Sequence, residues 1–247
     1  MKKINILLLL FVSFSLNVFS QINETSKSKI IKLSDPSKTG KIVLKQVKGN
    51  IEVTAYEGKD VEITILGINA DDTNFENIVI DEFNNIITIR NKTPQITFNY
   101  KIKVPKKTNL NLKTISNGNI KVEGVSGNLE LSNGSGNIIG LYISGTTSAD
   151  TTSGDIFLSF DSIFSDSIMA FSSYSGKISL LFPKNINANI NATSKKGIIE
   201  TGFEVFSNDG TKIQNFTNQL SGKINGGGSK LIVRTHYKNI LIKPITL

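Results

Sequence analysis

The chain of 247 residues contains no cysteine, no tryptophan, one histidine and five prolines. Without cysteine it can form no disulfide, no thiolate metal site, no cysteine nucleophile and no lipid-modified amino-terminal cysteine. The single histidine, His236, excludes multi-histidine metal sites and leaves one imidazole as a candidate base. These absences favour a protein that is not an enzyme and uses no cofactor.

The remaining composition indicates a folded chain with a mild positive charge. Hydrophobic residues make up 38% and charged residues 19%, which is too apolar for a disordered chain and too polar for a multi-span membrane protein. The net charge is +8, but the lysines are scattered. The densest run, Lys101, Lys103, Lys106 and Lys107, has no interleaved aromatic side chains that could stack on bases. We therefore expect no nucleic-acid partner, whereas anionic sugars and lipid headgroups remain open.

The amino terminus is typical of a secretory signal peptide. Lys2 and Lys3 precede an apolar run at residues 6–12, and Val18-Phe19-Ser20 ends the segment with a small residue. This pattern predicts a signal peptide at 1–20 and export to the periplasm, the outer cell surface or the medium. Seven unbroken apolar residues are fewer than the ~20 that span a bilayer. We therefore expect no stable transmembrane anchor in the mature chain.

The rest of the chain is predicted to be all-β. Residues 21–40 show no sustained period and are predicted to form a linker. From Lys41 onward, short segments such as 51–55, 61–65 and 96–104 alternate apolar and polar residues and are rich in β-branched side chains. Glycine, asparagine, aspartate or proline separates almost every pair of segments.

Internal repetition is the strongest signal in the sequence. Ser135-Gly136-Asn137-Ile138 is repeated as Ser153-Gly154-Asp155-Ile156 and Ser175-Gly176-Lys177-Ile178. Glycines fall at 118, 127, 136, 145 and 154, weaker copies follow at 197, 222 and 239, and an isolated copy lies at Gly49. Glycine permits a sharp turn, and the following apolar residue starts a strand whose free backbone groups a stacked copy can satisfy.

The repeat predicts a β-solenoid, or β-helix-like stack, built from coils of 18–25 residues. Apolar side chains would fill a narrow core, and asparagine, serine, threonine and lysine would face water. Five phenylalanines are expected in that core: Phe157, Phe160, Phe164, Phe171 and Phe182. A β-sandwich also has strands at this spacing, but it gives no reason for one turn motif to recur at fixed steps.

Three segments resemble a known family. Residues 101–110 resemble the "V-P-x-x-x-x-L" entry of bacterial "putative adhesin" domains, which are related to the auto-transporter adhesin head GIN type. Residues 118–127 are similar to their "G-x-I-x-V-x-x-x-x-G" repeat, and residues 226–233 with 239–243 to their closing turn and final rung. The resemblance covers about residues 41–243. It implies a secreted or surface-exposed solenoid-like domain and brings no catalytic residues.

No residue is predicted to be catalytic, cofactor-binding or metal-ligating. His236 lies in a strand near the carboxyl terminus, and no nucleophile elbow accompanies it, which favours a packed or solvated histidine. Calcium-binding nonapeptide solenoids need aspartate at the turns, where only Asp155 fits and Lys177 and Lys223 would repel a cation. The pairs Asp71-Asp72 and Asp81-Glu82 are expected to face solvent.

The sequence therefore predicts a non-enzymatic, exported protein of the cell envelope. It would act as an adhesin or structural scaffold that presents polar side chains to a glycan or protein at the cell surface. Two alternatives stay open: a β-helical protein that binds or cleaves polysaccharide, and an envelope sensor or assembly partner that docks through an exposed end strand. A pocket with two carboxylates, or with lysine and a carboxylate, would favour cleavage.

Overall fold

A computed structural model describes residues 24–68 and 71–245; the predicted signal peptide lies outside these residues. The fold is all-β, and the described residues contain one short helix, α1 (Asp72–Phe75). The first strands are β1 (Glu24–Ile31), β2 (Gly40–Gln46), β3 (Ile51–Tyr56), β4 (Val61–Ile68), β5 (Ile78–Phe83), β6 (Ile86–Asn91), β7 (Phe98–Pro105), β8 (Thr108–Thr114), β9 (Ile120–Glu123) and β10 (Ser126–Asn133). They are followed by β11 (Ile138–Thr151), β12 (Ile156–Ser162), β13 (Ile168–Ser173), β14 (Ile178–Phe182), β15 (Ala188–Ser194), β16 (Ile199–Thr201), β17 (Gln219–Ile224), β18 (Ser229–Thr235) and β19 (Ile240–Pro244).

The strands form two stacks that are joined into one continuous sheet. Stack A runs in the order β5, β6, β2, β8, β10, residues 144–151 of β11, β13, β18, β15 and β17. Stack B runs β1, β4, β7, β3, β9, residues 138–141 of β11, β12, β14, β19 and β16. We call each strand of stack A, with the stack B strand that follows it in the chain, a layer. Pairing between layers is parallel, and β1, β4, β5 and β17 add antiparallel strands at the two ends.

The order of the layers differs from the order of the chain at both ends. The layer β2–β3 lies between β6–β7 and β8–β9, so the first layer in sequence is second in space. The last layer, β18–β19, lies between β13–β14 and β15–β16. This insertion brings residues 229–244 beside two segments that are distant in sequence.

One apolar core lies between the stacks. The strands alternate buried and more exposed residues, as in β4, because successive side chains point to opposite faces. Phe160 and Phe182 stack inside the core with ring centroids 4.7 Å apart, and Phe171 packs near them. Phe157 and Phe164 are exposed instead, at 37% and 47%, so their assignment to the core was wrong. Phe157 lies on the outer face of stack B, and Phe164 lies beyond the end of β12.

The repeated glycines form columns at the corners between stacks. A Cβ on Gly136 would lie 1.8 Å from the carbonyl oxygen of Gly118, and the same close approach recurs from Gly154 to Gly136 and from Gly176 to Gly154. Gly127 and Gly145 belong to a second column at the opposite corner. The nine-residue step therefore alternates between two corners, and one turn of the chain takes 18 residues.

Beside the glycine column runs a ladder of asparagine and aspartate side chains. The backbone N–H of Asn119 donates to Asn50 Oδ1 (2.8 Å), and that of Asn137 donates to Asn119 Oδ1 (2.9 Å). Asp155 donates in the same way to Asn137, and Lys177 to Asp155. Each rung thus braces the turn of the next layer, which explains why the residue after the glycine is so often asparagine or aspartate.

A second polar row, before the glycine, is buried. Thr151 Oγ1 donates to the carbonyl oxygen of Gly136 (3.1 Å), and Ser173 Oγ donates to that of Gly154 (2.9 Å). The members of this row are Gln46, Thr114, Asn133, Thr151, Ser173, Ser194 and Thr235. The expectation that serine, threonine and asparagine all face water was wrong for this row, because all of these side chains except Thr114 donate to backbone carbonyl oxygens inside the corner.

Two further sequence assignments need correction. Residues 24–31, expected within a linker, form β1, which pairs with β4 in antiparallel register. The residues of this strand before Ile30 are polar, and Ile30 itself is 66% exposed. The sequence therefore lacks the apolar–polar alternation that would have indicated a strand. Gly222 is not a corner glycine but lies within β17, opposite Ile190. The motif around Gly222 resembles the repeat only in sequence.

Candidate functional site

The corner that carries the glycine column changes character along the stack. In the central layers its exposed positions hold small residues such as Ser135, Thr152 and Ser153. The next layers place Tyr174, then His236 and Tyr237, then Lys195 and Lys196 at the equivalent positions. Backbone hydrogen bonds fix this order, since His236 N–H donates to the Tyr174 carbonyl and Lys196 N–H to the His236 carbonyl. The insertion of β18–β19 is what places the histidine and the second tyrosine between the others.

Tyr174, His236 and Tyr237 form a contiguous aromatic surface that we call the aromatic cluster. The Tyr174 ring centroid lies 4.9 Å from that of His236 and 5.4 Å from that of Tyr237, which it meets edge to face at 84°. The His236 and Tyr237 centroids are 4.6 Å apart. The tyrosines are 53% and 41% exposed, so substantial ring surface faces solvent. The adjacent Tyr174 side chain also raises the pKa of the Tyr237 phenol.

Positive charge surrounds the aromatic cluster. Lys196 Nζ lies 4.9 Å from the Tyr237 ring centroid, a cation–π contact. Lys195, Arg234 and Lys238 are exposed beside it. Within residues 24–68 and 71–245, no carboxylate forms an ion pair with any of these four cations. The four cations, which we call the cationic rim, are thus available to a ligand.

A shallow groove of about 400 Å³ runs beside the aromatic cluster. Its lining includes Tyr174, His236, Lys195, Arg234 and Asp150. Asp150 is the one carboxylate that lines the groove in the described part of the chain, and it accepts a hydrogen bond from the Ser132 hydroxyl (3.1 Å). Glycoside hydrolysis ordinarily requires two carboxylates, one on each side of the glycosidic bond that is cleaved. The groove therefore lacks the pair of carboxylates that hydrolysis needs, but it holds a lysine and a carboxylate, the other combination expected to favour cleavage.

The sequence motifs considered for metal binding are placed apart. Asp155 is a rung of the ladder and accepts the N–H of Lys177. Asp81 pairs with Arg90, and Glu82 accepts hydrogen bonds from Ser34, which lower the pKa of Glu82. The side chain of Asp72 lies outside the described residues. In the described part of the chain, no three histidine, aspartate or glutamate side chains cluster as metal ligands would.

The groove was not apparent from the sequence. His236 was expected to be a packed or solvated strand residue, and the tyrosines carried no repeat signal. Tyr174 and His236 are 62 positions apart in the chain, and no spacing rule predicts that the last layer is inserted between two earlier ones. The one available signal was that the small corner residues of the repeat are replaced by large ones at Tyr174 and Tyr237.

Similarity to known proteins is found among solved structures. No protein-family model matches the sequence, and no curated protein is similar to it. Among solved structures, a "putative cell adhesion protein" from Clostridium sporogenes is 14% identical, with a TM-score of 0.49 over 90% of this chain and all of the other. A "putative adhesin" from Bacteroides fragilis is 12% identical, with a TM-score of 0.47 over 90% of this chain and 97% of the other.

A "putative lipid binding protein" from Parabacteroides distasonis is 13% identical, with a TM-score of 0.32 over 91% of this chain and 98% of the other. These low identities and TM-scores mark a distant likeness. In addition, the described residues include no helix with the length and apolar character that crossing a membrane requires.

Proposed function

We propose that the protein is an exported, non-enzymatic adhesin or structural scaffold of the cell envelope, and that its eight layers form a β-solenoid which presents the groove to a glycan. The observation that carries this proposal is the aromatic cluster with its cationic rim on an exposed corner. Sugar rings bind to aromatic faces through their apolar C–H groups, while polar neighbours fix their orientation. The secretory pattern at residues 1–20 supports export.

The hydrogen-bonded corner makes the layers a rigid support for this surface. Layers about 4.8 Å apart hold the rings and cations at fixed spacing, so a ligand need not order them on binding. A chain of repeating sugars could contact several layers together, and weak contacts would add through multivalency. The resemblance of residues 41–243 to adhesin domains agrees with this role.

The test is binding of the mature chain, residues 21–247, to arrays of glycans and matrix proteins. We expect saturable binding to glycans that the double variant Tyr174→Ala/Tyr237→Ala weakens at least about tenfold, the loss expected from two aromatic contacts. Tyr142→Ala is the matched control, because Tyr142 is 60% exposed and lies at the other corner. Absence of glycan binding, or equal loss in the control, would reject the proposal.

Cleavage of a uronate polysaccharide by elimination is a second candidate. Asp150, Lys195, Arg234 and His236 share one groove, and elimination requires a cation on the uronate carboxylate and a base at the adjacent carbon. Unsaturated products would be detected by their ultraviolet absorbance. If the chain cleaves the polysaccharide and His236→Gln abolishes this cleavage, the protein is an enzyme and the adhesin proposal is rejected.

A further inference from the structure

We propose that the groove selects acidic polysaccharides, whose carboxylate or sulfate groups contact Arg234 and Lys195 while a sugar ring lies against Tyr174. This inference rests on the glycan-binding function proposed above and adds the chemical class of the ligand. It depends on the arrangement of charge and ring surface in the layers that follow β12.

The cations are placed for anions that repeat along a chain. Arg234 lies directly opposite Thr193 of the neighbouring strand, and the N–H of Lys195 donates to the carbonyl oxygen of Thr235. Arg234 and Lys195 therefore project from adjacent layers of one corner. Anionic groups on successive sugars can meet them in turn, and guanidinium binds carboxylate or sulfate with two parallel hydrogen bonds.

The acid in the groove does not neutralise the rim. Asp150 and Arg234 occupy the same row of stack A, but Ser172 lies between them, opposite both residues in the strand register. Two strand spacings, about 9.6 Å, therefore separate their backbones. Among the described residues no ion pair joins Asp150 to Arg234, so the Arg234 end of the groove can attract anions.

The aromatic rings favour an acidic polysaccharide over an anionic phospholipid surface as the ligand. Tyr174 and Tyr237 meet edge to face, and Tyr174 is 53% exposed, so part of the Tyr174 ring remains open to a ligand. A phospholipid surface would need aliphatic side chains that enter the acyl region beside the cations, whereas the groove is lined by threonine, serine and charged residues. Polar walls with an aromatic platform suit a hydrated polysaccharide.

Binding to four probes tests the proposal: polygalacturonate, dextran sulfate, neutral dextran and vesicles of phosphatidylglycerol. We expect the purified mature chain to bind polygalacturonate or dextran sulfate at least about tenfold more tightly than dextran, with affinity falling as salt rises. The double variant Arg234→Gln/Lys195→Gln should remove this preference and retain the affinity for dextran. Thermal unfolding would confirm that the variant is folded, as both side chains are exposed.

The control is Lys45→Gln/Lys48→Gln, which changes the net charge equally. Lys45 shares the row of Arg234, and Lys48 lies at the corner of the second layer, where there is no aromatic cluster. Equal losses in the two double variants would show attraction by net charge alone and overturn the inference. Equal binding of dextran and polygalacturonate would overturn the inference and leave glycan binding intact. Binding to vesicles alone, or to none of the probes, would overturn the inference, while the glycan-binding proposal is decided separately by the glycan arrays described above.

Discussion

Replacing Gly154 by alanine tests the close packing of the layers. An added Cβ would lie 1.9 Å from the carbonyl oxygen and 2.4 Å from the carbonyl carbon of Gly136. Contacts below 3.0 Å are essentially never observed, so the two layers must separate locally by about 1 Å or the turn must rearrange.

That separation weakens the hydrogen bonds that cross the corner. Thr151 Oγ1 donates to the carbonyl oxygen of Gly136 (3.1 Å), and the Asp155 N–H donates to Asn137 Oδ1 (2.9 Å). Each bond contributes about 1 kcal/mol net, and overpacking adds about 1–3 kcal/mol. We expect the free energy of unfolding of Gly154→Ala to fall by about 3 kcal/mol or more, measured by urea denaturation followed by circular dichroism.

Gly226→Ala is the control for this variant. Gly226 has φ of +84°, and no atom lies within 4 Å of a Cβ placed there. The substitution therefore introduces only left-handed backbone strain, about 1–2 kcal/mol. If Gly154→Ala were as stable as the wild type, or cost no more than Gly226→Ala, the glycine column would not be closely packed and the reasoning would fail.

Three further predictions concern polar groups. Asn137→Ala removes the side-chain acceptor of the Asp155 N–H and should lower the free energy of unfolding by about 1 kcal/mol in the same assay; no change would contradict a stabilising ladder. The Tyr100 hydroxyl is buried without a hydrogen-bond partner within the described residues, and burial raises its pKa. Tyr100→Phe should therefore retain the free energy of unfolding or gain about 1 kcal/mol, and a loss above that size would contradict an unpaired hydroxyl. The hydrogen bond from the Ser37 hydroxyl holds the pKa of the Asp35 carboxyl at about 2, below its ordinary 3.8, so the stabilisation from this bond is present above pH 3.8 and is lost as the pH falls towards 2. In an NMR titration, Ser37→Ala should return the pKa of Asp35 towards 3.8, and an unchanged pKa would refute the contact.

The sequence allowed the strand content and the glycine column to be predicted because both follow from local rules. Alternating β-branched residues require a half-buried strand, and glycine before asparagine marks a tight corner. Residues 51–55 and 61–65 accordingly lie in β3 and β4. The family resemblance located the same repeats but carried no information on the groove.

The order of the layers could not be predicted in this way. Most corners present a glycine and a rung of the ladder, and β18–β19 has Lys238-Asn239 at this place, so local chemistry does not fix which layers stack on each other. The insertion of β18–β19 beside β13–β14 depends on long-range contacts that no periodicity records. Since the aromatic cluster joins Tyr174 to His236 and Tyr237 through this insertion, the groove remained hidden as well.

The interleaved ends also determine how the molecule assembles and what truncation does. The carboxyl-terminal strands β18 and β19 fill an interior position, between β13–β14 and β15–β16. A chain that stops near residue 228 therefore lacks the layer next to the end of the stack, and it leaves the edges of β13–β14 and β15–β16 without their parallel partners. Folding therefore cannot add the layers strictly in the order of the chain, because β15–β16 gains its parallel neighbours only when β18–β19 is in place.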